Sequence, residues 1–295
     1  MRARLAAALS GREAYLFVAP LLAAVFALIV FPIAGTLLSS FYSDVSFLGR
    51  EFVWLGNYLQ AFSDPGFRQS LGFTLMFIAA AVPLELAIGT AFAVVLDQEL
   101  PLRGLWRASV LIPWAIPSAV SARIWELIYN YNYGLANMLL GVSGLSSAPV
   151  NWTGSAPGAF LALLAADVWK TAPFVALIVL AGLQAVPQDL RWQARIDRAT
   201  SWQAFRLVTL PLLKPVLVVA LLFRTIDTLR IFDVIYVLTG GGPGGATTSV
   251  SLYAYRYFAG GDFGYGSAVS MILFAVSFGL SYLYVRLSGF REGAV

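Results

Sequence analysis

The sequence has no cysteine and no histidine. The first absence removes disulfides and thiol chemistry. The second removes the commonest acid–base side chain, the commonest transition-metal ligand and the usual near-neutral pH switch. No G-x-x-x-x-G-K-[ST] stretch occurs, so no P-loop cradles a nucleotide phosphate. The run from Gly240 to Gly245 lacks the lysine and reads as a flexible turn. Without histidine or cysteine the usual nucleophile–base pairs are absent. Charge is scarce too. Charged residues make up 12% of the chain against 59% hydrophobic, and mean hydropathy is +0.78, which excludes a soluble globular profile. The net charge of +4 is modest and reports membrane topology rather than nucleic-acid binding.

What is present is a series of apolar runs. They predict spans over residues 15–41, 70–96, 105–129, 158–183, 212–238 and 264–287. Each is longer than the roughly 20 residues a helix needs to cross the hydrocarbon. The expected fold is therefore an all-α integral membrane protein of six transmembrane helices. The first span is too long for a signal-peptide core and no small-x-small cleavage site follows it, so it is expected to stay. Pro113 and Pro117 fall inside the third span, where a membrane helix tolerates them if neighbours satisfy the freed backbone groups. Six spans put both termini on one side. Twelve basic residues lie on that side and three on the other, which places the termini and the loop between spans four and five in the cytoplasm. The domain order follows: a cytoplasmic segment 1–14, a six-span domain 15–287 and a cytoplasmic tail 288–295.

The loop from Pro187 to Pro215 is the one long polar interruption in the second half of the chain. Pro187 suits the start of a helix. Thr200 with Gln203 has the spacing of a capping box, so a second helix is expected to begin near Ser201. Trp192 and Ile196 would share one face, and Trp202 and Phe205 another. The loop reads as a helix–turn–helix at the membrane surface, with an apolar face suited to docking.

Four basic residues fall inside spans: Arg123, Lys170, Arg224 and Arg230. The acids at comparable depth are Glu85, Glu126, Asp167, Asp227 and Asp233. Such charges cost a few kcal/mol each at membrane depth and face protein or a wet cavity. Arg123 and Glu126 have the spacing of a local ion pair, while Glu85 stands alone. Spans four and five run in opposite directions, so Asp167, Lys170 and Thr171 meet Arg224, Asp227 and Thr228 at matched depth. These residues form either a salt-bridge network that fixes packing or a midplane pocket for a neutral polyol, with Phe174 or Tyr236 stacking on a sugar face.

The residues of the polar loop also carry a likeness. The segment QAVPQDL…ARIDRATSWQAFRLVTLPLLKP resembles the EAA loop of membrane subunits of binding-protein-dependent ABC importers. Ala194, Arg195, Ile196, Asp197, Ala199, Trp202, Leu210 and Pro211 match. Trp192 stands at the family's Glu position, Gln193 at the first Ala and Arg198 at the Gly, so the turn has to form without a glycine in the left-handed region. VWKTAPF and LLFRTIDTLRIFDVIYVLTGGGP resemble the sugar-permease branch, in particular the first permease of trehalose/maltose importers. The resemblance implies that residues 187–206 dock onto a separate ATPase, through Arg191, Trp192, Ala194, Arg195, Ile196, Asp197, Ala199, Trp202 and Phe205. It maps sugar contacts to Lys170, Thr171, Phe174, Arg224, Asp227, Thr228 and Ile231. It implies a bacterial inner-membrane location, a second permease, two ATPase subunits that bind the ATP and magnesium, and an external sugar-binding protein. This chain itself would hold no cofactor or metal and would not be an enzyme. A self-contained secondary transporter or channel using the intramembrane charges is the alternative; it has no need of a docking loop.

Overall fold

The computed structural model describes residues 15–287, apart from residues 100 and 147 and the side chains of Arg191 and Arg195. The predicted terminal segments 1–14 and 288–295 lie outside the described residues. Five described helices are long and apolar enough to cross a membrane: Tyr15–Ser39, Pro65–Leu96, Ala156–Ala185, Ser201–Leu229 and Phe263–Arg286. The fold is an all-α membrane fold, as the apolar runs predict. It divides into two compact units, one of residues 15–63 with Ala254–Ile272 and one of Asp64–Tyr253 with residues 273–287.

In the first unit, α1 (Tyr15–Ser39) has no buried residue in its most apolar stretch. A two-stranded hairpin pairs β1 (Tyr42–Ser43) with β2 (Glu51–Phe52), and α2 (Gly56–Ser63) follows. The buried Asn57 amide fastens α2 to the end of α1, donating to the carbonyls of Ser40 at 2.9 Å and Tyr42 at 2.8 Å.

The second unit holds the core. Helix α3 (Pro65–Leu96) starts at an N-cap: the Asp64 carboxylate accepts from the Gly66 N–H at 2.7 Å, with proline in the first turn. It begins five residues before the predicted span, because Asp64-Pro65 is a helix start and not a loop. The predicted third span is two helices, α4 (Arg103–Ala115) and α5 (Ser118–Ile128), interrupted at Ile116-Pro117. Ile116 is extended (φ −71°, ψ 132°), as a residue before proline prefers, and Pro117 has no N–H to continue the ladder. After the short helix α6 (Leu135–Val142), α7 (Ala156–Ala185) is the most deeply buried of the apolar helices, capped by the Ser155 hydroxyl. Next come α8 (Gln188–Ile196) and α9 (Ser201–Leu229). The predicted fifth span is also discontinuous: α9 ends at Leu229, and α10 (Asp233–Leu238) starts again after Arg230, Ile231 and Phe232 leave helical geometry. The Ile231 carbonyl exposed by this break accepts from the Ser249 hydroxyl at 2.7 Å. Helices α11 (Val250–Ala259) and α12 (Phe263–Leu287) complete the described chain.

Two helices widen into a single π-turn, at Phe26–Val30 in α1 and Phe205–Thr209 in α9. Each lies just before a proline, Pro32 or Pro211. The proline ring crowds the carbonyl four residues back and supplies no N–H to it, so the ladder lengthens by one residue there.

The core of the second unit is layered. One apolar cluster joins Phe77 and Ala81 of α3 to Leu163 and Ala172 of α7 and to Ile235 of α10. A second joins Ala93 of α3 to Val175 and Leu183 of α7 and to Leu213 of α9. Between them the helices approach very closely. A Cβ on Gly89 would lie 2.5 Å from Val175 Cβ and 2.7 Å from the Ala172 carbonyl oxygen, so only glycine permits this crossing. The charged residues of the three helices gather beside it.

Candidate functional site

Glu85 is fully buried on α3. Its carboxylate receives the Arg224 guanidinium of α9 in a two-pronged pair, Nε to Oε2 at 2.6 Å and Nη2 to Oε1 at 3.0 Å. The Thr171 hydroxyl of α7 shares its single proton between Glu85 Oε1 at 3.0 Å and the Asp167 carbonyl oxygen one turn back at 2.6 Å. Arg224 donates further, to Asp227 Oδ2 at 2.6 Å and Thr228 Oγ1 at 3.2 Å, and lies 3.8 Å from Asp167 Oδ2. Arg224 is only 3% exposed, so its charge is balanced by protein and not by solvent. Asp167 Oδ2 is buried and has no hydrogen-bond partner.

The network opens at Asp227. Its side chain is 49% exposed, and its second oxygen accepts from Arg230 Nη2 at 3.3 Å. Each carboxylate oxygen therefore keeps an unused lone pair. Lys170, half-buried on α7, donates to the Ile116 carbonyl at 2.7 Å and reaches toward that of Trp114 at 3.5 Å. Those carbonyls end α4 at the break, where a cation both completes hydrogen bonding and answers the negative end of the helix. Phe174, one turn along α7, stacks on Trp114 with centroids 5.7 Å apart and meets Phe223 edge-on at 6.3 Å.

Of the predicted substrate residues, Lys170, Phe174 and Asp227 reach an accessible face. Arg224, Thr171 and Thr228 lie behind it, and Ile231 is packed in an apolar cluster at the break between α9 and α10. Tyr236 stacks on Phe232 at 5.3 Å. Arg123 and Glu126 form the local pair their spacing suggests, at 2.5 Å. Glu85 as the hub, and Trp114 and Phe223 as ring partners, are not visible in the sequence. Glu85 signals itself only as an unexplained charge in a span, and the two rings carry no local signal.

At the end of α7 the loop folds as a helix–turn–helix. Helix α8 closes with a Schellman turn: Ala199 N–H bonds the Ala194 carbonyl at 2.9 Å, and Arg198 takes the left-handed position with φ +54°. Arg198 thus does what glycine does at this turn, at a cost of about 1–2 kcal/mol. The capping box forms as predicted, with Gln203 N–H bonding Thr200 Oγ1 at 3.3 Å and Thr200 N–H bonding Gln203 Oε1 at 2.8 Å. Ala194 is buried; Trp192, Ile196 and Trp202 are exposed, and Trp202 stacks with Phe205. Asp197 is exposed at the turn and Ala199 half-buried.

Residues 85–288 match the family described as "Binding-protein-dependent transport system inner membrane component". The chain is 51% identical over 288 residues to the trehalose/maltose transport system permease protein MalF of Thermococcus litoralis, covering 96% of this chain and 97% of that one. It is 38% identical to the trehalose transport system permease protein SugA of Mycobacterium tuberculosis, covering 94% and 89%. It is 37% identical to the sulfoquinovosyl glycerol transport system permease protein SmoG of Agrobacterium fabrum, covering 93% and 89%. Its fold is that of a chain in a bacterial ABC transporter involved in the import of alginate, with TM-score 0.82, 20% identity, and 99% and 100% of the two chains covered. The sequence match and the fold agree along almost the whole chain, which belongs to the family of binding-protein-dependent transport system inner membrane components.

Proposed function

We propose that this chain is one membrane half of an ATP-driven importer for a neutral sugar, a disaccharide such as trehalose or maltose. The identity to the Thermococcus litoralis trehalose/maltose permease carries the reading. The site suits such a cargo: Asp227 offers free lone pairs and Lys170 keeps an N–H beyond its two carbonyls, so both can bond hydroxyls without changing protonation. Arg224, Thr171 and Thr228 hold that face from behind, and Ile231 fixes the break beside it. A second permease completes the pathway, an external binding protein delivers the sugar, and two ATPase subunits bind ATP and magnesium. This chain supplies no catalytic group. It lies in the cell membrane with both termini and the helix–turn–helix in the cytoplasm.

The helix–turn–helix is the coupling element. Trp192, Ile196 and Trp202 leave apolar surface uncovered beside the turn, and buried aromatics commonly anchor interfaces. An ion-driven carrier has no use for such a surface. The test is purification through a tag on this chain, followed by reconstitution into vesicles. ATP-dependent uptake of labelled trehalose or maltose, requiring a co-purified ATPase and the binding protein, is the expected result. Uptake driven by an ion gradient without ATP would overturn the reading in favour of a self-contained carrier.

A further inference from the structure

We propose that α2 is an interfacial membrane anchor. It lies in the headgroup layer and sinks a stripe of Leu55, Leu59 and Phe62 into the acyl chains. This role is independent of the cargo, and the orientation proposed above makes the leaflet the outer one.

Helix α2 has three distinct faces. Asn57 and Ala61, four apart, are buried, and the Tyr58 hydroxyl beside them bonds that of Ser40 at 2.6 Å. Gln60 is exposed and polar. The third face is the stripe. The Leu59 N–H bonds the Leu55 carbonyl at 3.0 Å, so the helical ladder already includes Leu55. Spacings of four and three put Leu55, Leu59 and Phe62 in one row. They are 55%, 69% and 58% exposed. Gln60 is one residue on from Leu59 and so about 100° round the helix from the row. Trp54, just before the helix, is also exposed, and its amphipathic ring suits the headgroup level.

The level of α2 is fixed at both ends. Its Asn57 amide holds the carbonyls of Ser40 and Tyr42, just past the last residue of α1. The chain then passes from Ser63 directly to Asp64, the N-cap of α3. Both α1 and α3 are long and apolar enough to span the membrane. The eight residues of α2 make only about 12 Å of helix, so it stays where the two spans meet the surface. The stripe therefore adjoins the apolar surface of α1, which exposes Leu37 and Leu38 near this end and has no buried residue in its most apolar stretch. No charged residue occurs from Phe52 to Ser63. A protein-docking surface has a polar rim around its apolar centre. An interfacial helix needs an apolar face toward the acyl chains and a polar one toward water, as Leu59 and Gln60 provide.

The test uses the complete complex in vesicles of phosphatidylethanolamine and phosphatidylglycerol, with the native cysteines of the other subunits replaced. A nitroxide is attached at Leu59→Cys, Phe62→Cys or Gln60→Cys, and its collisions with oxygen and with a water-soluble nickel chelate are measured by electron paramagnetic resonance. Oxygen should dominate at Leu59→Cys and Phe62→Cys, at a depth of about 5–10 Å below the headgroup boundary. The nickel chelate should dominate at Gln60→Cys. Added binding protein should change none of the three. If Phe62→Cys is not recovered in the complex, Leu55→Cys is scored by the same criterion. Nickel dominance along the stripe would overturn the anchor, because the stripe then stands in water. Few collisions with either reagent would also overturn it, since another subunit then covers the stripe. Collisions that fall on adding the binding protein would make the stripe its dock instead. Uptake is not read, so each result stands apart from the cargo and its energy source.

Discussion

Glu85 and Arg224, 139 residues apart in the chain, meet as a two-pronged ion pair sealed between α3 and α9, with Thr171 of α7 bonded to the same carboxylate. One buried carboxylate therefore fixes three helices and aims Arg224 at Asp227. Removing one partner leaves the other charge without compensation, and such changes cost about 3–5 kcal/mol. Glu85→Ala should sharply reduce recovery of the assembled complex and lower its melting temperature. Glu85→Leu and Arg224→Leu combined with Asp167→Asn, which removes the buried carboxylate beside Arg224, should recover assembly, because no buried charge is then stranded, but not uptake, because Asp227 loses its positioning partner. Equal recovery of Glu85→Ala and wild type would show that the pair contributes nothing to packing.

Asp227→Asn keeps the shape of the side chain and removes its charge. Assembly with the ATPase should persist while uptake falls, and the loss should differ between trehalose and maltose. Normal uptake of both sugars by a well-assembled variant would take Asp227 out of the pathway. A poorly assembled variant rescued by a charge swap with Arg224 would make it a packing residue.

Lys170 closes the end of α4 by bonding backbone carbonyls. Lys170→Met strands those acceptors at about 1–3 kcal/mol. Melting temperature and uptake should drop together, with faster hydrogen exchange around residues 114–120. Lys170→Arg, which keeps both charge and donors, should lose far less. Unchanged exchange in the methionine variant would show that the break is held by something other than Lys170.

Arg198→Gly tests the turn of the helix–turn–helix. Arg198 sits at φ +54°, where glycine carries no Cβ penalty. The substitution should stabilise the loop by about 1 kcal/mol, a factor of about five in local opening. Limited proteolysis of the loop should slow accordingly. Faster cleavage would mean that the arginine side chain contributes more to the loop than its backbone costs.

The lack of native cysteine permits a clean topology test with single introduced cysteines. Ser201→Cys should react with a membrane-impermeant reagent only from the cytoplasmic side and Asn132→Cys only from outside. The reverse pattern would invert the assigned orientation.

Much of this architecture is legible locally. Apolar runs are long enough to mark the helices, Thr200 and Gln203 announce the second start in the loop, and opposite span directions put Lys170 and Thr171 level with Arg224 and Asp227. The breaks are less legible. Pro113 and Pro117 mark strain in the third span, but whether a helix bends or stops depends on what satisfies its carbonyls, and here that is a lysine on α7. The interruption at Arg230–Phe232 carries no proline or glycine, and its freed carbonyl is taken by Ser249 from a later segment. Pairing between spans is the least visible. Glu85 reads as an isolated charge because rotation and register of α3 against α9 come from close packing.

That packing passes through Gly89, next to the polar layer. Every residue other than glycine carries a Cβ, and Val175 and Ala172 already occupy the space where it would lie. Any single-nucleotide change in the codon that alters the residue therefore adds an atom at this crossing. The position has no acceptable neighbour in the genetic code, and the chain can drift around it but not through it.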